Sequence, residues 1–161
     1  MGVAKILLIV GSIGAFIFLA ACTGGNYWIV SKLQSDVGRG LWKSCSMITC
    51  VSIDDIYDLA GLKLNDWFKT VRAFAIISCL AAVGGILMSI LGMVSDKVKG
   101  WFASLFLFAA AGCMALALII YSSKIDINTD YVKYGWSYIL GWIGAIGGIG
   151  SGIFGLLTEK F

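Results

Sequence analysis

Four runs of about twenty residues, each apolar almost without interruption, leave this chain few ways to fold. They lie at about 6–23, 71–94, 101–121 and 135–157. A bilayer's hydrocarbon core is roughly 30 Å thick, and roughly 20 helical residues cross it. An unpaired backbone polar group in lipid costs several kcal/mol, so a segment of this kind closes its own hydrogen bonds as an α-helix. Composition agrees: 60% of residues are hydrophobic and 13% charged, against roughly half and a quarter in soluble domains. The reading is a single membrane domain over 1–161, an all-α bundle of four transmembrane helices.

The first run has a rival reading. Lys5, an apolar stretch and then Leu19-Ala20-Ala21-Cys22 resemble a bacterial lipoprotein signal peptide with its cleavage cysteine. A lipid-anchored protein would have no need of three further spans, so the run is taken as a span.

Two polar intervals join the spans, about 24–70 and 122–134. In the first, Tyr27-Trp28-Ile29-Val30 and Met47-Ile48-Thr49-Cys50-Val51-Ser52-Ile53 are β-branched and aromatic, and read as short strands. Gly38 and Gly40 read as the turn between them, supplying positive φ. The same interval holds Cys45 and Cys50, close in sequence, beside Trp28 and Trp42 and outside any apolar run. A disulfide-pinned hairpin on the oxidising side of a bilayer explains that placement. Closing so small a loop removes roughly 2 kcal/mol of unfolded-chain entropy. The alternative is two reduced, unrelated cysteines on a loose loop, where tryptophans are seldom left. Trp28 and Trp42 suit the headgroup level, ring body dry and N–H wet.

Trp28, then Gly40-Leu41-Trp42, then Cys45 and Cys50, set between the first two of four spans, resemble the first-loop signature of the claudin superfamily. The four-residue gap between the cysteines is short for a claudin. It is closer to the branch of peripheral myelin, epithelial membrane and lens fibre intrinsic proteins. Arg72-Ala73 at the head of the second span resembles the step with which many claudins and the lens protein begin this helix. Tyr134-Gly135-Trp136 with Trp142, at the head of the fourth, is more similar to the lens, myelin and epithelial branch than to claudins. The resemblance implies a small antiparallel extracellular β-sheet standing on the bundle, a plasma-membrane location that includes cell junctions, and work in cell contact. The chain departs from claudins in ending Lys160-Phe161, without the tyrosine–valine tail of many of them.

Arg72 is the most telling single charge. A guanidinium deep in an apolar helix costs about 3 kcal/mol, less near the surface, so Arg72 is expected to reach outward and bond carbonyls of the overlying loop. Asp54, Asp55 and Asp58 are candidates for facing a cation. Gly144, Gly148 and Gly152, spaced by four, form a small-residue ridge for close helix packing, within the bundle or between neighbouring molecules. Charge and cysteines disagree on orientation. The first loop through Arg72 carries six Lys and Arg, whereas the opposite side has Lys5, Lys97, Lys99 and Lys160. The positive-inside rule would therefore put the large loop in the cytoplasm. Thiols are kept reduced there, so the cysteine pair puts that loop outside and both termini in the cytoplasm.

The chain has no histidine, which removes the commonest general base and metal ligand. No span carries Asp, Glu or Lys at its centre, so a proton relay or charged path through one bundle is not expected. Cys22, Cys79 and Cys113 lie in separate spans and read as packing residues. Neither enzyme activity, cofactor, metal nor nucleic acid is expected. The function expected is structural and adhesive: contact with the lipid bilayer, self-association in the membrane and across facing membranes. A claudin-like paracellular cation pore and an auxiliary subunit of a membrane-protein partner are the alternatives.

Overall fold

The computed structural model describes residues 2–95, 97–125 and 131–158. Lys160 and Phe161, named above, lie outside the described residues. In chain order the elements are α1 (Gly2–Gly24), β1 (Ile29–Ser31), β2 (Gly38–Arg39), β3 (Lys43–Cys45), β4 (Cys50–Ser52), α2 (Ile53–Leu59), α3 (Asp66–Val94), α4 (Gly100–Lys124), β5 (Val132–Tyr134) and α5 (Trp136–Leu157). Four of these, α1, α3, α4 and α5, are long and apolar enough to cross a membrane. At 22 residues α5 is about 33 Å long, while α3 at 29 residues reaches about 44 Å. The extra length of α3 lets its first two turns stand clear of a hydrocarbon core of roughly 30 Å and meet the sheet.

The long helices pack in a ring, α1 on α3, α3 on α4, α4 on α5 and α5 back on α1. Small residues set the seams. Ala75, Ser78, Ala82 and Gly85 of α3 are buried, and Ser78 Oγ donates to the Ala110 carbonyl of α4 at 2.7 Å. Hydrogen bonds of this kind help in lipid, where apolar surfaces gain little by meeting each other.

On α5 the buried glycines are Gly141, Gly144, Gly148, Gly152 and Gly155, one face of a helix. A Cβ on Gly144 would press on Leu19 of α1, and one on Gly152 would press on Phe108 of α4 at 2.9 Å. Gly148 lies against Ala111 and the Leu107 carbonyl of α4. The ridge is used up inside the bundle, and the reading that turns it toward a neighbouring molecule is corrected. The outward face of α5 carries Ile139, Ile143, Ile146, Ile149 and Ile153 instead, as a lipid-facing stripe requires.

The five strands form one antiparallel sheet in the order β4-β3-β2-β1-β5. The four-helix bundle with a small antiparallel sheet anticipated above is thus the architecture of the chain. The details differ in three places. Gly38 and Gly40 are not turn residues of positive φ; Gly61, at +66°, is the only described residue with such an angle. Of the run 47–53, only Cys50–Ser52 is strand, and Ile53 opens a short helix, α2, that carries the three aspartates. The second polar interval supplies β5, which pairs along β1 from Ile29↔Tyr134 to Ser31↔Val132.

The sheet is not an appendage on a loose loop. One buried core runs through both layers, joining Trp28, Leu41 and Ile53 of the loop to Leu19, Cys22, Phe68, Val71 and Tyr121 of the helices.

Candidate functional site

The residues singled out in the first loop converge where the sheet meets the helix ends. Helix α1 ends at Gly24, and its last carbonyls have no partner within the helix. Two tryptophans supply them. Trp28 Nε1 donates to the Cys22 carbonyl at 2.7 Å, and Trp42 Nε1 donates to the Thr23 carbonyl at 2.9 Å. The indoles therefore cap a helix, and the expectation of N–H groups left in water is corrected. Trp28 is fully buried, its ring edge-on to Tyr121 at 4.7 Å and to Tyr138 at 6.0 Å. Burying an indole of roughly 200 Å² is worth about 5 kcal/mol before entropy is counted. Tyr121 is the fully buried hub of this cluster, against Trp67 and Phe68 as well.

The tripeptide Gly40-Leu41-Trp42 has a separate task for each residue. A Cβ on Gly40 would strike the Gly25 carbonyl oxygen and the Asn26 backbone, so only glycine lets the two segments approach. Leu41 is fully buried and offers its carbonyl to Arg72 Nε at 2.7 Å. Trp42 turns its N–H to α1 and its ring face to Arg72, whose guanidinium carbon is 4.7 Å from the ring centroid. Phe68 takes the same guanidinium at 5.0 Å.

Arg72 stands in the second turn of α3 and is 9% exposed. Its Nη1 reaches both oxygens of Asp54, at 2.9 and 3.1 Å. Carbonyl, carboxylate and two ring faces together offset the desolvation of a charge at this depth. Asp54 is thereby committed to Arg72, and the proposal that it faces a passing cation is corrected. Asp55 and Asp58 remain exposed on α2.

Cys45 and Cys50 are joined by a disulfide and stand opposite each other in the β3–β4 hairpin, whose turn is closed by Ser46 N donating to the Thr49 carbonyl at 2.9 Å. The reading of two unrelated thiols is thereby excluded. Cys45 is buried and Cys50 exposed, so the bond closes the hairpin at its outer rim. The remaining cysteines, Cys22, Cys79 and Cys113, are free, on separate helices. No group of three His, Cys, Asp or Glu among the described residues is placed to hold a metal ion.

Asp54 reaches Arg72 across 18 residues, a pairing that neither residue advertises in sequence. Arg39 was missed altogether. It lies in β2, its guanidinium 5.5 Å from the Phe68 ring centroid and 6.0 Å from that of Tyr57. Its alternation with buried Gly38 and Gly40 was the available sign.

Comparison with known proteins gives concordant matches. The model of the PMP-22/EMP/MP20/Claudin family matches residues 1–155. Human (Homo sapiens) epithelial membrane protein 1 is 33% identical over 135 residues, covering 81% of this chain and 81% of that protein. Lens fiber membrane intrinsic protein from Rattus norvegicus is 28% identical over 148 residues, covering 86% of this chain and 81% of that protein. The human form of the lens protein is 26% identical over the same length.

Proposed function

The chain belongs to the PMP-22/EMP/MP20/Claudin family, a multi-pass membrane protein of four spans, and from that premise we propose that it is a structural, adhesive protein of cell contacts. It presents the five-stranded sheet to a facing membrane or to a neighbour's sheet. The observation that carries this reading is the fixing of the sheet to the bundle: two indole caps on α1, the Arg72 clamp on α3 and a shared core. A surface ordered before contact loses little conformational entropy on binding, so modest contacts suffice.

In this reading the sheet stands outside the cell and both termini are cytoplasmic, because the Cys45–Cys50 bond persists only in an oxidising compartment. Lateral assembly then runs through the sheet end, since the glycine ridge is occupied within the bundle. The paracellular cation pore is the weaker reading, with Asp54 bound to Arg72.

The test is aggregation of suspended cells that express the chain, together with labelling of the exposed Lys63 by an impermeant amine reagent. The proposal expects cells to cluster and Lys63 to be labelled from outside. Dispersed cells bearing a well-labelled chain would overturn the adhesive role. Labelling only after permeabilisation would overturn the orientation.

A further inference from the structure

A half-open groove of about 280 Å³ lies between the sheet and α2, lined by Arg39, Ser44, Ile53, Ile56, Tyr57 and Leu62. Its polar end follows from strand register. Arg39 of β2 stands opposite Ser44 of β3, so both side chains leave the same face of the sheet. Arg39 Nη2 meets the Tyr57 hydroxyl at 3.4 Å, and its cation meets no carboxylate among the described residues. Next to it, Phe68 is bracketed by two guanidinium groups, Arg39 and Arg72, which together hold one carboxylate, Asp54. Among the described residues Arg39 thus stands as a cation without a carboxylate partner beside an apolar wall, and neither Asp55 nor Asp58 of α2 lines the groove.

Its height matters as much as its charge. Phe68 belongs to the first turn of α3, where Asp66, Lys69 and Thr70 give way to the apolar run that starts at Val71. Phe68 and Val71 are three residues apart, about 4.5 Å along the axis. The Arg39–Phe68 contact at the polar end of the groove thus stands within one turn of that apolar run. The groove's rim residues Ile56 and Leu62 are 41% and 62% exposed.

We propose that this groove binds the headgroup of a net-anionic phospholipid from the leaflet that adjoins the sheet. Arg39 and Ser44 donate to phosphate oxygens, and Ile56 and Leu62 cover the glycerol and the first carbons of a chain. The volume is below the roughly 300 Å³ at which pockets engulf a drug-sized molecule, so the groove takes the headgroup and leaves the chains in the bilayer.

The experiment reconstitutes the full chain into nanodiscs of phosphatidylcholine doped with phosphatidylserine and counts retained lipids by native mass spectrometry. Phosphatidylserine is expected to be enriched over its bulk share, with the enrichment weakening as salt rises. Arg39→Gln should reduce it about fivefold, the worth of one interfacial cation. Leu62→Glu, on the exposed rim and away from the junction, should reduce it similarly, and Lys43→Gln, on an exposed strand position outside the groove, should leave it intact. Helical circular dichroism and an intact Cys45–Cys50 bond establish that each variant is folded. Retention of the two lipids in their bulk ratio would overturn the proposal. So would undiminished enrichment in folded Arg39→Gln and Leu62→Glu, displacement by inorganic phosphate alone, or a co-purified protein that Arg39→Gln releases.

Discussion

Arg72 grips Asp54 with one nitrogen, Nη1 lying 2.9 Å from Oδ1 and 3.1 Å from Oδ2. The pair joins the first turn of α2 to the second turn of α3. Its halves are unequal. Arg72 is buried, with a carbonyl and two rings as further partners, whereas the Asp54 side chain is 51% exposed.

That inequality predicts an order of damage. Asp54→Asn should lower stability by about 1 kcal/mol, since the surface half of an ion pair contributes little. Arg72→Gln should cost about 3 kcal/mol, because the Leu41 carbonyl is left buried without its charged donor. Thermal unfolding of the reconstituted variants, followed by circular dichroism, checks the order. Equal losses would mean that the carboxylate, not the carbonyl and rings, is the main partner.

The indole caps are separable from indole bulk. Trp28→Phe keeps most of the ring but strands the Cys22 carbonyl, at a cost of about 1–3 kcal/mol. Trp28→Ala empties a fully buried site and should cost about 3–5 kcal/mol. Carbonyl isotope-edited infrared spectra of residue 22 should shift equally in both variants if the N–H bond is what caps α1.

Glycines offer a matched pair. Gly40→Ala forces a methyl into the Gly25–Asn26 backbone and should destabilise by about 1–3 kcal/mol. Gly112→Ala, on a helix with nothing within 4 Å of the new atom, should be neutral or stabilising by up to about 1 kcal/mol. Chemical denaturation in mild detergent distinguishes them.

The α5 ridge yields a fourth contrast. Gly152→Leu must displace Phe108 of α4 and should unfold or loosen the monomer. Ile146→Leu, on a side chain 66% exposed toward lipid, should alter neither stability nor assembly. Crosslinking and denaturation measured on both variants would show a Gly152 effect on folding rather than on self-association.

These residues also mark how far the sequence could be read. The four helices are written in composition, because lipid demands long apolar runs and nothing else tolerates them. Arg72, Trp28 and Trp42 stand out as residue types rarely placed where they are. Helix α2 and strand β5 do not stand out. Seven and three residues are too short to show a period, and Val132–Tyr134 is strand only because β1 offers it an edge. Gly38 and Gly40 were misread because glycine signals both turns and close approach, and only the facing Tyr27 ring and the Gly25–Asn26 backbone decide. The partner of Asp54 was invisible for a similar reason, as a long-range pairing leaves no local pattern.

The central claim is that a sheet fixed to four membrane helices makes contact across facing membranes. Electron tomography of proteoliposomes carrying the purified chain tests it most directly. The account predicts vesicles drawn together at one constant spacing, with density bridging the gap. That spacing should be lost in the Cys45→Ser/Cys50→Ser and Arg72→Gln variants, which loosen the sheet. Vesicles that stay apart at every protein density, or that pair as closely with Arg72→Gln as with the intact chain, would contradict it.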